Sequence, residues 1–398
     1  MKNIKKAIGL SVMALTLGIT YGCEIKPKKN TETIIAQAVA DEHKHINNTV
    51  KIALLLDTSN SMDGLIDQAK SQLWDIVNKF AYVRARCGND PNPDYIRPNL
   101  EIALYQYGND NLSSNEGYIQ QVLGFSGDLD EISEKLFSLT TNGGEEYCGT
   151  VIQTSLNQLD WGKNQDNLKM IFIAGNEPFT QGKLNYKDAV TNAKEKDVVV
   201  NTIFCGDYAQ GVSSQWKNGA ILTGGDYIAI DHNRKVVHID TPYDDDIVSL
   251  NSKLNKTYIA YGALGKSKLA NQNYQDENAM EVEEAVAVKR AVSKSSRLYK
   301  NSTWDLVDAA DEKEFDVSKV EKKQLPDSLK NKSDKEIESY ITLKKKERIK
   351  IQASIQELNK KRQDYISKKQ ENAGGELENA MLAAIKKQAE KKNYKWDN

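Results

Sequence analysis

The chain has 398 residues, and its 54 Lys and Arg face 56 Asp and Glu, which gives a formal net charge of −2 at pH 7. This near balance excludes a uniformly basic nucleic-acid-binding protein, and four cysteines are too few for a disulfide-rich scaffold. A hydrophobic fraction of 39% is sufficient for a globular core. The average composition conceals three segments of different character.

The first segment predicts export. Three lysines among the first six residues precede an uncharged, mostly apolar stretch over residues 7–20. This stretch is too short to span a membrane and is typical of a secretory signal peptide. Gly22-Cys23 resembles a bacterial lipobox, which implies cleavage after residue 22 and a lipid on Cys23. An ordinary signal peptide with an incidental cysteine is the alternative. The polar residues 23–48 predict a flexible tether to the membrane.

Residues 49–262 predict an α/β domain. Nearly continuous apolar runs, typical of parallel strands buried on both faces, occur at residues 50–57, 100–107, 168–174 and 198–205. Amphipathic helical patterns lie between or after these runs, at residues 65–83, 129–139, 150–159, 186–194 and 213–222. This alternation predicts a doubly wound, mostly parallel sheet whose functional loops lie at the carboxyl ends of the strands.

The loop after the first strand carries the most informative motif. Its sequence is Asp57-Thr58-Ser59-Asn60-Ser61-Met62-Asp63-Gly64, so one carboxylate and two hydroxyls share a tight turn between a buried strand and a helix. Such oxygen ligands suit Mg²⁺, Mn²⁺ or Ca²⁺. A structural alternative is that these side chains only cap the helix.

This motif is similar to the metal-ion-dependent adhesion site of von Willebrand factor type A domains. The resemblance covers residues 50–262 and implies a Rossmann-like fold. It also implies a divalent cation held by Asp57, Ser59 and Ser61, with a coordination position that a partner's carboxylate can fill.

Two further loops depart from the pattern of this family. The family places a Thr after a Gly-Gly turn, where this chain has Glu145, and an Asp after the fourth strand, where this chain has Gly175. In one interpretation Glu145 replaces the lost charge, and Asn176 or Glu177 adds an oxygen. In the other, the metal site has decayed and the loops bind partners without a metal. We expect the cation site to be retained.

Three cysteines follow Cys23. Cys148 and Cys205 are both predicted near the carboxyl-end face of the sheet, a position that would allow a disulfide between them in an exported protein. Cys87 is predicted at the opposite end and remains as the unpaired thiol.

Residues 263–398 predict a helical region with a basic end. Helical patterns occupy residues 277–299 and 376–392, and Ser333 and Glu336 form a capping box at the start of a long helix. The apolar stripe of that helix is interrupted by Lys344 and Arg348, so an amphipathic helix packing on this protein or on a partner is preferred over a coiled coil. Residues 330–398 hold 18 Lys and Arg against 11 Asp and Glu.

These features predict a membrane-anchored lipoprotein of the bacterial cell envelope, facing the periplasm or the outside, that binds a protein partner through its metal face. The alternative is a metal-independent envelope scaffold that acts through its helical tail. A hydrolase is a third hypothesis, but neither a His-Glu-x-x-His nor a Gly-x-Ser-x-Gly motif occurs. We therefore expect no catalytic residue, no enzyme activity and no nucleic-acid partner.

Overall fold

The computed structural model describes residues 48–86, 95–234, 236–369 and 376–396. The predicted signal peptide (1–22), the lipid attachment at Cys23 and all of the tether but its last residue lie outside the described residues, and so does Cys87.

The strands assemble into a large central sheet and a small second sheet. They are β1 (Thr49–Asp57), β2 (Val83–Arg86), β3 (Tyr95–Ile96), β4 (Asn99–Tyr107), β5 (Ile119–Ser126), β6 (Leu168–Gly175), β7 (Val199–Cys205), β8 (Tyr227–Ile230) and β9 (Tyr394–Trp396). The central sheet has the order β5-β4-β1-β6-β7-β8, and all its pairs are parallel except β4 with β5. The predicted doubly wound, mostly parallel sheet is confirmed, and its strand order reverses between β1 and β6.

The described residues also form thirteen α-helices, and most of them cover the two faces of this sheet. They are α1 (Asp63–Phe80), α2 (Leu129–Phe137), α3 (Cys148–Gln158), α4 (Tyr186–Glu195), α5 (Tyr208–Ser213), α6 (Trp216–Ile221), α7 (Asp244–Asn255), α8 (Gly265–Val282), α9 (Glu284–Lys294), α10 (Leu306–Ala309), α11 (Asp327–Lys330), α12 (Asp334–Lys369) and α13 (Glu376–Lys391). Among the helices of the described residues, none has the length and apolar character needed to cross a membrane.

Successive residues of β1 point into two different cores. Ile52 and Leu56 pack on the face covered by α1, α2, α7, α9 and α13, whereas Ala53 and Leu55 pack on the face covered by α3, α4 and α6. This alternation follows from the two-residue period of a strand. Because both faces are covered, residues 52–56 of β1 are all apolar, which is why the sequence shows an apolar run there.

The helical region after residue 262 shares the first of these cores. Val288 of α9, Ile355 of α12 and Ile385 of α13 belong to the same buried cluster as Ile52. The strand β9 pairs with β2, which also pairs with β3, to form the small antiparallel sheet. The described residues from 48 onward consequently belong to one compact unit.

The long helix α12 packs on this protein through its apolar stripe. Ile337, Ile341, Ile351 and Ile355 are all buried. Arg348, which interrupts the stripe, is buried as well. Its contacts explain how a charged side chain is buried here. The guanidinium donates to Asp305 and Asp308, both at 2.7 Å, and lies 4.0 Å over the ring of Tyr258. The stripe therefore forms part of the intramolecular core and is not the seam of a coiled coil.

The predicted disulfide between Cys148 and Cys205 is wrong, because both cysteines are free. Cys148 begins α3 and packs in the core on one face of the sheet, whereas Cys205 ends β7 and packs in the core on the other face. The sheet itself separates the two sulfur atoms. Burial raises the pKa of both thiols, so neither is a reactive thiolate.

His238 is buried where the sheet domain meets α9. Its side chain is 4% exposed, its Nδ1 lies 3.1 Å from Lys289 Nζ, and its Nε2 lies 3.5 Å from a carboxylate oxygen of Glu283. Burial lowers the pKa of His238 to about 4, and the nearby positive charges of Lys289 and Arg362 contribute. The imidazole is therefore neutral in the folded protein near pH 6.

This burial predicts a loss of stability in mild acid. The unfolded chain protonates His238 near its ordinary pKa of 6.5, above the folded value, so the unfolded state binds more protons between these pKa values. The free energy of unfolding should fall as the pH drops through this window, and we expect about 3 kcal/mol from this residue. Urea denaturation of wild type and of His238→Gln at several pH values measures it. Equal pH dependence in the two proteins would contradict the prediction.

Candidate metal site

The Asp57 loop lies at the point where the strand order of the sheet reverses. The parallel register places Asp57 opposite Tyr107 of β4 and Leu56 opposite Ala174 of β6. Thr58 N also donates to the carbonyl oxygen of Tyr107 at 2.9 Å. The loops that follow β1, β4 and β6 therefore meet at one edge, which is the usual binding crevice of a doubly wound sheet.

The predicted motif gathers its oxygen atoms as expected. Asp57 is fully buried; its Oδ1 accepts from Ser59 N at 2.8 Å, while its Oδ2 has no hydrogen-bond partner. The hydroxyls of Ser59 and Ser61 lie 3.4 Å apart. No side chain caps the start of α1, whose N-cap residue is Met62. The capping alternative therefore does not account for the motif.

The carboxyl group beside Asp57 belongs to Glu146 and not to the predicted Glu145. Glu146 is buried, and a Cβ atom built on Gly108 would lie 2.6 Å from its Cγ and 3.0 Å from Asp57 Oδ1. Glu145 is exposed, and its Oε2 accepts from Gln181 Nε2 at 2.9 Å. The predicted assignment of Glu145 is therefore wrong by one residue, because the loop points the side chains of Glu145 and Glu146 in opposite directions.

Asn176 and Glu177 occupy different places at the site. Asn176 Nδ2 donates to Ser61 Oγ at 3.0 Å, and its Oδ1 is buried without a hydrogen-bond partner. The side chain of Glu177 is exposed at the rim, from where its charge acts on Asp57 and Glu146. Asn176 thus offers an oxygen to the site, whereas Glu177 adds to its negative potential.

The missing aspartate at position 175 is explained by Tyr107. A Cβ atom built on Gly175 would lie 2.5 Å from the Tyr107 hydroxyl and 3.0 Å from Asp57 Oδ2. This hydroxyl donates to the carbonyl oxygen of Ala174 at 2.9 Å. The space that a side chain at position 175 needs is therefore filled, and only glycine fits without a shift.

The electrostatics of the site favour a positive ion. Burial, followed by the charge of Asp57, raises the pKa of Glu146 to about 9, and burial raises that of Asp57 to about 6. Two adjacent buried carboxyl groups ionise together only when a cation compensates them; otherwise one keeps a proton. Both Asp57 Oδ2 and Glu146 Oε2 lack a hydrogen-bond partner.

The residues present fit a hard divalent cation. Two carboxyl groups, two serine hydroxyls and the Asn176 amide oxygen form an all-oxygen donor set of the kind that Mg²⁺, Mn²⁺ and Ca²⁺ prefer. In the described part of the chain, no three His, Cys, Asp or Glu residues are grouped as a metal site. The candidate site therefore depends on hydroxyl and amide oxygens as well as on Asp57 and Glu146.

Three residues of the site were missed by sequence reasoning. They are Glu146, Tyr107 and His232, whose Nε2 lies 3.1 Å from the carbonyl oxygen of Ser61. Tyr107 could have been predicted, because it ends a predicted strand and its register places it opposite Asp57. No sequence signal distinguishes Glu146 from Glu145, and none brings His232 to a loop 171 positions away.

Comparison with known proteins agrees with this architecture. Residues 51–215 match the sequence model of the von Willebrand factor type A domain. No relative is matched among curated proteins.

Solved structures show distant similarity over just under half of the chain. Proximal thread matrix protein 1 from the mussel byssus is 13% identical, with a TM-score of 0.33, over 46% of this chain and 42% of that one. BatB from Bacteroides thetaiotaomicron is 15% identical, with a TM-score of 0.33, over 46% of this chain and 90% of that one. The SpRpn10 VWA domain is 14% identical, with a TM-score of 0.31, over 46% and 87%. The chain thus spans less than half of the mussel protein. The match shows that residues 51–215 of this chain carry a von Willebrand factor type A domain.

Proposed function

We propose that the Asp57 loop binds a divalent cation and that the cation-loaded face binds a protein partner in the cell envelope. Asp57, Ser59, Ser61 and Glu146 would hold the ion, with Asn176 as a further oxygen donor. The observation that carries this proposal is the pair of buried carboxyl oxygens without hydrogen-bond partners, Asp57 Oδ2 and Glu146 Oε2. When bound, the ion neutralises this pair and offers a coordination position to an oxygen of the partner.

The proposed role is binding without catalysis. The described loops around Asp57 supply carboxyl, hydroxyl and amide oxygens. The nearby thiol of Cys148 is buried, and its pKa is raised by burial, so it is a poor nucleophile. A metal-independent scaffold acting through the helical tail has less support, because the apolar stripe of α12 is already buried within this chain.

The proposed location rests on the first 23 residues. Their signal-like pattern and Gly22-Cys23 support a lipid-anchored protein of the bacterial envelope. Mass spectrometry of the protein purified from membranes tests this point. An N-terminal Cys23 that carries acyl chains supports the anchor, whereas an unmodified Cys23 contradicts it.

The cation site is tested by a matched pair of substitutions. Thermal unfolding in EDTA is compared with unfolding in Mg²⁺, Mn²⁺ or Ca²⁺ for wild type, Glu146→Gln and Glu145→Gln, with Asp57→Ala as a further variant. A ligand at one hundred times its Kd stabilises the native state by about 2.7 kcal/mol. We expect this stabilisation in wild type and Glu145→Gln, and its loss in Glu146→Gln and Asp57→Ala. If no cation raises the Tm of wild type, the metal proposal is wrong.

Partner binding is tested separately with immobilised protein and an envelope extract. A protein retained by wild type in the presence of the cation, released by EDTA and not retained by Asp57→Ala would support binding through the metal face. Retention that neither EDTA nor Asp57→Ala reduces would contradict binding through the metal face.

A further inference from the structure

We propose that the turn at residues 231–234 clamps the cation loop and that His232 is the positioning residue that fixes Ser61. This inference rests on the proposed cation site. It concerns residues that follow β8 and lie outside the motif and its two companion loops. Three separate contacts carry it, and each joins the turn to α1 or to the loop before α1.

The first contact is made by Gln68, a buried residue of α1. Its Nε2 lies 3.0 Å from the carbonyl oxygen of Asp231 and 3.1 Å from those of His232 and Arg234. One side-chain amide therefore binds the main chain of the whole turn. A buried polar group of this kind is costly to leave unpaired, so Gln68 and the turn hold each other in place.

The second contact is a close approach of two backbones. A Cβ atom built on Gly64 would lie 2.3 Å from the carbonyl oxygen of His232. Gly64 lies in the first turn of α1, where its backbone is helical and does not need the conformational freedom of glycine. What requires glycine here is the proximity of the turn.

The third contact reaches the proposed ligand Ser61. His232 Nε2 lies 3.1 Å from the Ser61 carbonyl oxygen, which can only accept, so this nitrogen carries the proton and donates. On its other side, the Ser61 hydroxyl accepts from Asn176 Nδ2 at 3.0 Å. Ser61 is exposed, and its hydroxyl also lies 3.4 Å from that of Ser59, so these contacts, one to its main chain and two to its side chain, hold the residue in place.

A positioning role predicts a measurable change in metal affinity. Outer residues that orient metal ligands typically change metal affinity by about 10-fold to 100-fold when they are removed. His232→Leu removes the donor to Ser61, whereas His232→Gln keeps a nitrogen at a similar reach. We expect about 10-fold weaker Mn²⁺ binding in calorimetry for His232→Leu and recovery of most of the affinity in His232→Gln.

A second readout uses the cation-free protein. Hydrogen–deuterium exchange of residues 59–62 in EDTA should be faster in His232→Leu than in wild type, and restored in His232→Gln. Gly64→Ala provides an independent variant, because its new Cβ displaces the turn while alanine favours the helix. It should accelerate exchange in the same residues, and circular dichroism verifies that each variant is folded.

The outcomes separate this inference from the proposed function. If wild type binds none of the cations, the proposed function fails, while the exchange measurement still decides whether the clamp holds the loop. If His232→Leu and Gly64→Ala leave both the exchange of residues 59–62 and the Mn²⁺ affinity unchanged, the clamp is overturned.

Discussion

Replacing Arg290 with methionine is expected to lower the free energy of unfolding by about 3–5 kcal/mol. Arg290 lies on α9 with its side chain fully buried, and donates to Asp130 Oδ1 at 2.8 Å and to Asp276 Oδ1 at 2.6 Å. Tyr299 Oη also donates to Asp130, at 2.5 Å. Methionine preserves much of the volume but leaves Asp130 buried without its countercharge. That cost is large because the charge no longer has a compensating partner inside the protein.

Urea denaturation at neutral pH measures this loss. Lys361→Met is the matched control, since Lys361 pairs with Glu357 at 2.8 Å on the surface of α12, where both side chains are at least half exposed. Exposed pairs contribute little, so the control should unfold close to wild type. A loss below about 1 kcal/mol for Arg290→Met would show that the network is dispensable.

Introducing aspartate at position 175, where the family usually carries it, is expected to destabilise the cation-free protein by about 1–3 kcal/mol through overpacking alone. The new Cβ would lie 2.5 Å from the Tyr107 hydroxyl. The added carboxylate would also lie beside Asp57 and Glu146, so like-charge repulsion increases the cost. We therefore expect Gly175→Asp to lower the free energy of unfolding in EDTA.

Two further variants separate the steric cost from the electrostatic one. Gly175→Asn has nearly the same shape without the charge, so its unfolding measures overpacking. Tyr107→Phe removes the hydroxyl that meets the new Cβ, and combining it with Gly175→Asp should recover part of the loss. Gly175→Asp with the stability of wild type in EDTA would contradict the close contact between Gly175 and Tyr107.

The sequence predicts the strands that are buried on both faces and misses the others. The strands β1, β4, β6 and β7 were recognised because parallel strands under two helical layers are continuously apolar. The edge strand β5 is partly exposed and pairs irregularly with β4, so it shows no such run. The three-residue strand β9 exists only because β2 supplies its partner from far away in the chain.

Local breaks in the backbone limit how accurately the sequence predicts helix boundaries. The pattern at residues 213–222 predicted one helix, but Gln215 has a positive φ of 75° and separates α5 from α6. The pattern at residues 277–299 likewise crosses Glu283, whose extended backbone separates α8 from α9. Apolar periodicity continues through such breaks, because the cores on either side still need apolar residues.

The candidate site was predictable only where its residues are neighbours in sequence. The Asp57, Ser59 and Ser61 arrangement follows from one loop, and Asn176 follows from alignment on the next glutamate and proline. The sequence predicts Glu145 as the ligand and the structure has Glu146, because both glutamates fit the composition of that loop. Sequence spacing contains no information about which of two adjacent side chains turns inward.

The core on one face of the central sheet includes residues from the helix α13 and the strand β9. Gln388 of α13 forms a buried amide pair with Asn201 of β7, 187 positions earlier in the chain. The central strands and the helix that covers part of their apolar face are therefore far apart in the chain. Contacts so distant in sequence slow folding and leave apolar surface open in the interval. The core on this face of the sheet is therefore complete only when residues 376–396 have packed against it.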